Sequence, residues 1–327
     1  MSLPLAHNRK LFYDVKNEGR DAFIEKKDQK IKCIPICNCN CNLGKDLIIF
    51  TSGETIDAYT KATQISKRSE NFDHFLEIQR RGLAMPLLEM KFRTRSKFGS
   101  KKLFTVNKFT PPPTDKRRLF NRNKDKFNFC TIFKDSKKDY DRYTFKFEPN
   151  SQDLSENFET YLFMHHNIAI SDVPKTGKLN ERFRWTRTYK NRNLPYTYTL
   201  CMLAAEQPSM VDNMDSTNIE LDPQNVFFTL PPDQHMNLGS PHVIANLIHL
   251  SYSRAPYAIQ RTARLDIKIP KDRRNLESES INSVTMDELI LITNSVIFKY
   301  FEETNRTFKQ ALENLANCNF MSFGTYA

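Results

Sequence analysis

The sequence predicts a mainly β fold: a closed antiparallel barrel of about twelve strands around a central apolar helix near the C-terminus. Three observations lead there. Short segments of alternating apolar and polar residues recur along the chain, with no helical repeat between them. The stretch Thr285–Phe301 carries apolar side chains in every sector of a helical wheel, so it has to be buried on all sides. A dozen strands closed on themselves leave a lumen too wide for side chains alone, and such a helix fills it.

Residues 1–42 are expected as an N-terminal segment ahead of the barrel, polar and mixed in charge, with Leu11, Phe12, Tyr13 and Val15 as a short docking motif. The start, M-S-L-P-L-A-H-N-R-K, lacks the apolar core of a signal peptide, so a reducing compartment, cytoplasmic or nuclear, is the expectation. A cysteine run, C-I-P-I-C-N-C-N-C, then brings Cys33, Cys37, Cys39 and Cys41. Such spacing can hold a soft metal, but a structural zinc site needs a second pair at a distance, and the early histidines are only His7 and His74. Reversible acylation is a second reading and a plain reduced loop a third, the one expected. No metal or cofactor is expected.

The barrel is expected over residues 43–304. Asp46–Phe50 reads as a strand ended by Thr51-Ser52-Gly53, and Phe72, Phe75, Leu76 and Ile78 make a short helical face bounded by Gly82 and Pro86. Leu88, Met90 and Phe92 alternate with Glu89, Lys91 and Arg93. Leu103–Val106 and Phe127–Phe133 follow. The loop between them carries Pro111-Pro112-Pro113 and Lys116-Arg117-Arg118, which rules out helix or central strand. Tyr143–Glu148 alternates most cleanly, with three aromatics on one face. Then come Phe158–His165, Asn167–Ile170, Arg182–Tyr189, Tyr196–Leu203, Val226–Leu230, His242–Tyr252 and Tyr257–Ile269. Residues 206–224 read as an acidic loop.

The central helix is expected over 286–303. Thr285 caps it, Glu288 completes a capping box, and Val284 with Leu289 suits a hydrophobic staple. Asp287 and Glu288 put negative charge at the positive end of the dipole. Leu289, Ile292, Val296, Ile297 and Tyr300 are its expected core positions, while Thr293, Asn294, Ser295 and Lys299 interrupt the apolar surface. Residues 305–327 are expected as a C-terminal extension and tail, amphipathic at Phe308, Ala311, Leu312 and Leu315.

The net charge of +11 is unevenly placed: residues 1–150 carry +14, residues 151–327 carry −3, and residues 91–146 alone carry +13. A concentrated basic region reads as a surface for phosphates, in nucleic acid or lipid headgroups, or as a solvated face with no ligand. Enzyme classes find little footing. No two of the eight glycines lie within eight residues of each other, which removes phosphate-cradling loops, and neither G-x-S-x-G nor H-E-x-x-H occurs. His165 and His166, as neighbours on a strand, face opposite sides, and the odd spacing of His242 and His249 implies the same.

Four motifs in this order resemble the tubby C-terminal-like superfamily, which includes phospholipid scramblase-like and LURP-one-related proteins. They are Phe183-Arg184-Trp185, the H-V-I-A-N-L segment from His242 to Leu247, A-R-L-D-I-K-I-P from Ala263 to Pro270, and D-E-L-I-L-I-T from Asp287 to Thr293. The resemblance spans roughly residues 40–305, is densest from Tyr143 onwards, and is carried by hydrophobic and aromatic pattern. It implies a twelve-stranded barrel around a helix and binding of phosphoinositide headgroups through Lys and Arg on neighbouring strands. Carried onto this chain, the headgroup ligands would be Lys91, Arg93, Arg95, Lys101, Lys102, Lys146, Arg182 and Arg184, with Arg184 foremost. An ordinary cross-strand ion pair is the competing role for Arg184. No D-x-D-x-D-G loop occurs, so calcium-triggered lipid scrambling is not implied.

The expected function is therefore a non-enzymatic adaptor at an anionic membrane surface. The alternatives are a nucleic-acid-binding protein that stacks bases on Phe92, Phe98, Phe104, Phe109, Phe120 and Phe127, or a module that binds a protein partner and no small ligand. Composition leaves the oligomeric state open.

Overall fold

The computed structural model describes residues 29–39, 46–92, 102–148, 157–174, 182–188, 197–212, 221, 226–229, 242–250, 259–270 and 279–302. Twelve strands form one closed sheet: β1 (Gln29–Cys39), β2 (Leu47–Ile49), β3 (Leu88–Phe92), β4 (Lys102–Phe109), β5 (Lys126–Ser136), β6 (Tyr140–Phe147), β7 (Phe158–His165), β8 (Ile170–Val173), β9 (Phe183–Thr188), β10 (Thr197–Met202), β11 (His242–His249) and β12 (Ile259–Pro270). Each strand pairs antiparallel with its neighbour in sequence, and β12 returns to pair with β1 from Gln29↔Pro270 to Cys39↔Ile259, so no edge is left.

Alternation puts Leu88, Met90, Phe104, Val106, Tyr143, Phe145, Phe147, Trp185 and Leu265 into a single core inside the barrel. The central helix, residues 286–302, runs through that core. Its start is the predicted capping box: the Glu288 amide donates to Thr285 Oγ1 at 3.3 Å, and the Thr285 amide donates to Glu288 Oε2 at 3.0 Å. Leu289, Ile292, Val296 and Ile297 are buried as expected, and Tyr300 is half-buried, stacked on Phe92 at 5.1 Å. The interrupting polar residues are accommodated in different ways. Thr293 and Ser295 turn their hydroxyls back onto the carbonyls of Leu289 and Ile292, both at 2.7 Å. Lys299 is buried.

Two elements differ from expectation and leave the strand number at twelve. Cys33 to Cys39 of the cysteine run are not a loop ahead of the barrel; they form part of β1, so the barrel starts at Gln29 rather than 43. Pro35 and the Cys-Asn repeats read as turn signals, yet Pro35 sits just before the short ladder to β2, which begins at Ile36. Its missing N–H there leaves no ladder bond unmade. Val226–Thr229, expected as a strand, is a helical turn, and Phe227 packs on the outside of the barrel with Tyr140, Phe163, Ile170, Met210 and Val211.

Two helices sit outside the wall. Helix α1 (Gly53–Thr63) is capped by Ser52, whose hydroxyl accepts from the Thr55 amide at 3.2 Å; it covers Cys37, Ile48 and Phe50 with Ile56 and Tyr59. Helix α2 (Phe72–Arg80) is the predicted short helix and ends at Gly82, whose φ of 77° few other residues adopt readily. The extension expected over 305–316 lies outside the described residues.

Candidate functional site

The cations proposed for headgroup binding do not form one open surface. Arg184 lies on the outward face of β9 but is 1% exposed. Its Nε and Nη2 donate to Asp172 Oδ1 and Oδ2 at 2.6 and 2.7 Å, Nη2 also reaches the Pro208 carbonyl at 2.9 Å, and the guanidinium lies over the Phe227 ring. The cross-strand ion pair is thus its role, and a headgroup cannot reach it. Arg182 is held by Asp212 and by the carbonyls of Ala204 and Ala205, both at 2.8 Å. Lys146 pairs with Glu159 at 2.7 Å, and Lys91 stands 3.7 Å from Glu89. Lys102 is half-buried at the start of β4. Arg93, Arg95 and Lys101 lie outside the described residues.

Glu89 gathers much of the remaining charge. Buried on the outer side of β3, it accepts from Arg122 at 2.8 Å and Lys126 at 2.6 Å. Burial alone would raise its carboxyl, but hydrogen bonds and charge from Lys126 and Arg122 outweigh it and hold the group below the usual carboxylate range. The predicted stacking phenylalanines are core residues: Phe104 and Phe109 are buried, Phe92 and Phe127 pack against the same cluster, and Phe120 meets Phe109 and Tyr59 edge-on. Phe98 lies outside the described residues.

The cysteines are dispersed as well. Cys33 is exposed on the outer face of β1. Cys37 shares that outward face by alternation but lies under α1, where it is fully buried. Burial, then the neighbouring Asp266 carboxylate, pushes the Cys33 thiol up, against thiolate chemistry. The side chains of Cys39 and Cys41 are not among those described. Among the described residues no group of three His, Cys, Asp or Glu could hold a metal ion.

What sequence reasoning missed is a cavity of about 320 Å³ inside the barrel, beside the first turns of the central helix. It lies between the helix and strands β8–β12. Phe183, Trp185, Leu200, Met202, Ile244 and Ile267 form the wall, and Ile290, Leu291 and Asn294 the helix side. Polar groups come at the mouth: Thr285, Asp287 and Glu288 from the helix start, His242 and Lys268 from the strands. Glu288 is occupied by its cap and by Lys32, 3.0 Å away, while Asp287 is exposed.

Asn294 also lines the cavity, farther along the helix than those groups. It is 4% exposed, and its Oδ1, with no accessible surface of its own, has no hydrogen-bond partner among the described residues. In the sequence it counted only as an interruption of an apolar helix; the available signal was a carboxamide on a helix with no exposed face. The histidines hold a second surprise. A bulge between β10 and β11, where Leu200 pairs Ala245 but Cys201 pairs Val243, inserts Ile244 as an extra residue. The odd spacing therefore no longer separates the two faces. His242 lines the cavity mouth, and His249 is buried near the far end of the helix beside Tyr198 and Lys299.

Apolar walls, a narrow set of polar groups and a volume at the lower end of the roughly 300–1,000 Å³ usual for ligand sites suit the cavity to a small amphipathic molecule. The family DIA1 matches the chain over residues 29–307, from the first residue of β1 to just past the described end of the central helix. The chain belongs to that family. No curated protein and no solved structure matches it.

Proposed function

We propose that this DIA1-family chain is a non-enzymatic binding protein that takes a small amphipathic, lipid-like molecule into the barrel cavity. The observation that carries this is the apolar-walled space of about 320 Å³ between the central helix and the barrel wall, with its polar groups gathered at the mouth. Close packing normally fills a core, so a space of this size favours an occupant. Trp185 lines the cavity and is the only tryptophan in the chain, which makes intrinsic fluorescence a local probe.

The test is a chain-length series of alkyl alcohols and carboxylates followed by Trp185 emission. Each added methylene should tighten binding about fourfold, the equivalent of ~0.8 kcal/mol, until the cavity is full, and then gain nothing. In Ile244→Phe/Leu291→Phe, which narrows the cavity with two rings, the plateau should come at a shorter chain with the melting temperature kept. A gain that continues without a plateau, or a plateau that does not move in that variant, would place the chains elsewhere and sink the proposal.

A second reading keeps the anionic membrane surface, with the chain peripheral to a cytoplasmic or nuclear leaflet. It rests on Lys67, Arg68, Lys116 and Lys124, which are exposed and have no acidic partner among the described residues. Kinship with tubby-like barrels would support it. Flotation on vesicles with and without phosphoinositide tests it, with Lys116→Glu/Lys124→Glu as the weakened variant; no flotation at low salt would remove it. A nucleic-acid ligand or a protein partner draws no specific support from the geometry, because the stacking rings are committed to the core.

A further inference from the structure

We infer that Trp185 is the floor of the cavity and sets the longest alkyl chain the barrel takes: a single-chain amphiphile lies with its polar end at the mouth and its methyl end against the indole. This rests on the cavity reading above.

The barrel holds a second, smaller space of about 90 Å³ toward the other end of the central helix. It lies by the β7–β8 turn, and Arg187, Tyr198, Phe298 and Phe301 line it, with the exposed His166 and Asn167 at its rim. Trp185 lines both spaces, and no other described residue does.

Strand register puts the indole between them. Phe183, Trp185 and Arg187 share one face of β9 and pair with Met202, Leu200 and Tyr198 of β10. Phe183 and Met202 line the large cavity and Arg187 and Tyr198 the small one, so the boundary falls at the Trp185 layer. On the helix the change comes between Asn294 and Phe298, four residues or about 6 Å along the axis. The Phe298 ring closes the partition there, 5.1 Å from the indole between centroids. Trp185 itself is 1% exposed.

The mouth carries basic and acidic groups together, His242 and Lys268 with Asp287 and Glu288, so the charge of the polar end is not what limits the ligand. From Asp287 to Asn294 the large cavity follows the helix for seven residues, about 10 Å. Beyond that depth an alkyl chain meets the indole. Chain length is the property this site selects.

The experiment takes the alcohol and carboxylate series through calorimetry on the full-length wild type, Trp185→Ala and Trp185→Val. Alkyl chains shorter than the wild-type plateau should bind all three proteins within about twofold, because they do not reach the floor. In the variants the two spaces join, and the next few methylenes should each tighten binding about fourfold before a new plateau. A plateau that stays at the wild-type length in the folded variants would overturn the floor while leaving the cavity in use. Absence of any plateau in the wild type would overturn the cavity reading itself. Should neither variant fold, the wild type carries the test alone, with one bromine moved stepwise along an alkyl chain of the plateau length. Quenching of Trp185 should rise toward the methyl end; quenching strongest beside the polar end would overturn the floor.

Discussion

Arg184 and Asp172 face each other across β8 and β9 and close a two-pronged ion pair that is 1% and 0% exposed. Asp172 Oδ2 also accepts from Ser209 Oγ and the Met210 amide, so the pair fastens the 204–212 segment to the outer wall. Removing one partner leaves a buried charge uncompensated. Arg184→Met is therefore expected to cost roughly 3–5 kcal/mol in urea unfolding, with no separate effect on vesicle binding once the folded fraction is taken into account. A stable Arg184→Met that loses vesicle binding would return this residue to the ligand surface.

Enclosure of the central helix makes a second prediction. Val296 is fully buried in the middle of the helix. Val296→Asp puts a carboxylate where neither water nor a partner reaches, and soluble folded protein should not be recovered. Val296→Ala should remain folded and lose roughly 1–3 kcal/mol, scaled down from larger cavity-forming changes. A well-folded aspartate variant would mean that the helix is not enclosed.

His249 sets a pH dependence. Burial, then the charge of Lys299, pushes its pKa down to about 3, well below the ordinary value near 6.5, and its Nε2 has no partner among the described residues. The unfolded chain thus binds a proton that the folded chain refuses, so stability is full above about pH 6.5 and falls as pH drops through the window down to about 3. Between pH 7 and 5 the loss from this group should be about 2 kcal/mol. Denaturant midpoints of wild type and His249→Phe check it: the variant should lose markedly less over that interval. Equal losses would mean that His249 is protonated in the fold.

Gly82 tests how the entry to the central helix is anchored. Its carbonyl accepts from the Ile281 amide at 3.0 Å, and a Cβ there would come within 2.7 Å of Ser280 Oγ, on a backbone with φ of 77°. Gly82→Ala should lower stability by roughly 1–3 kcal/mol, through both the strained φ and displacement of the 280–283 turn. Thermal melts would show it. An unchanged melting temperature would mean that this turn does not depend on the contact.

The architecture was legible because period and burial agree: Tyr143, Phe145 and Phe147 declare a strand face, and Thr285 with Glu288 declares a helix start. β1 was hidden by Pro35 and three cysteines, since its pairing with β12 joins residues more than two hundred positions apart. Arg184 was legible as outward-facing but not as covered, because the segment that buries it, around Pro208 and Phe227, is distant in sequence. The cavity was the least visible feature. It is bounded jointly by side chains of β8–β12 and the central helix, a combination of distant segments that no local pattern carries.

The most direct measurement of whether this barrel binds its ligand inside is contact quenching of Trp185 by an ω-bromo-octanol, whose bromine quenches indole emission only at near van der Waals range. Saturable quenching in the wild type, displaced by unlabelled octanol and weakened in Ile244→Phe/Leu291→Phe, is the predicted result. Undiminished Trp185 emission in the presence of bound bromo-octanol, or equal quenching in the narrowed variant, would contradict it.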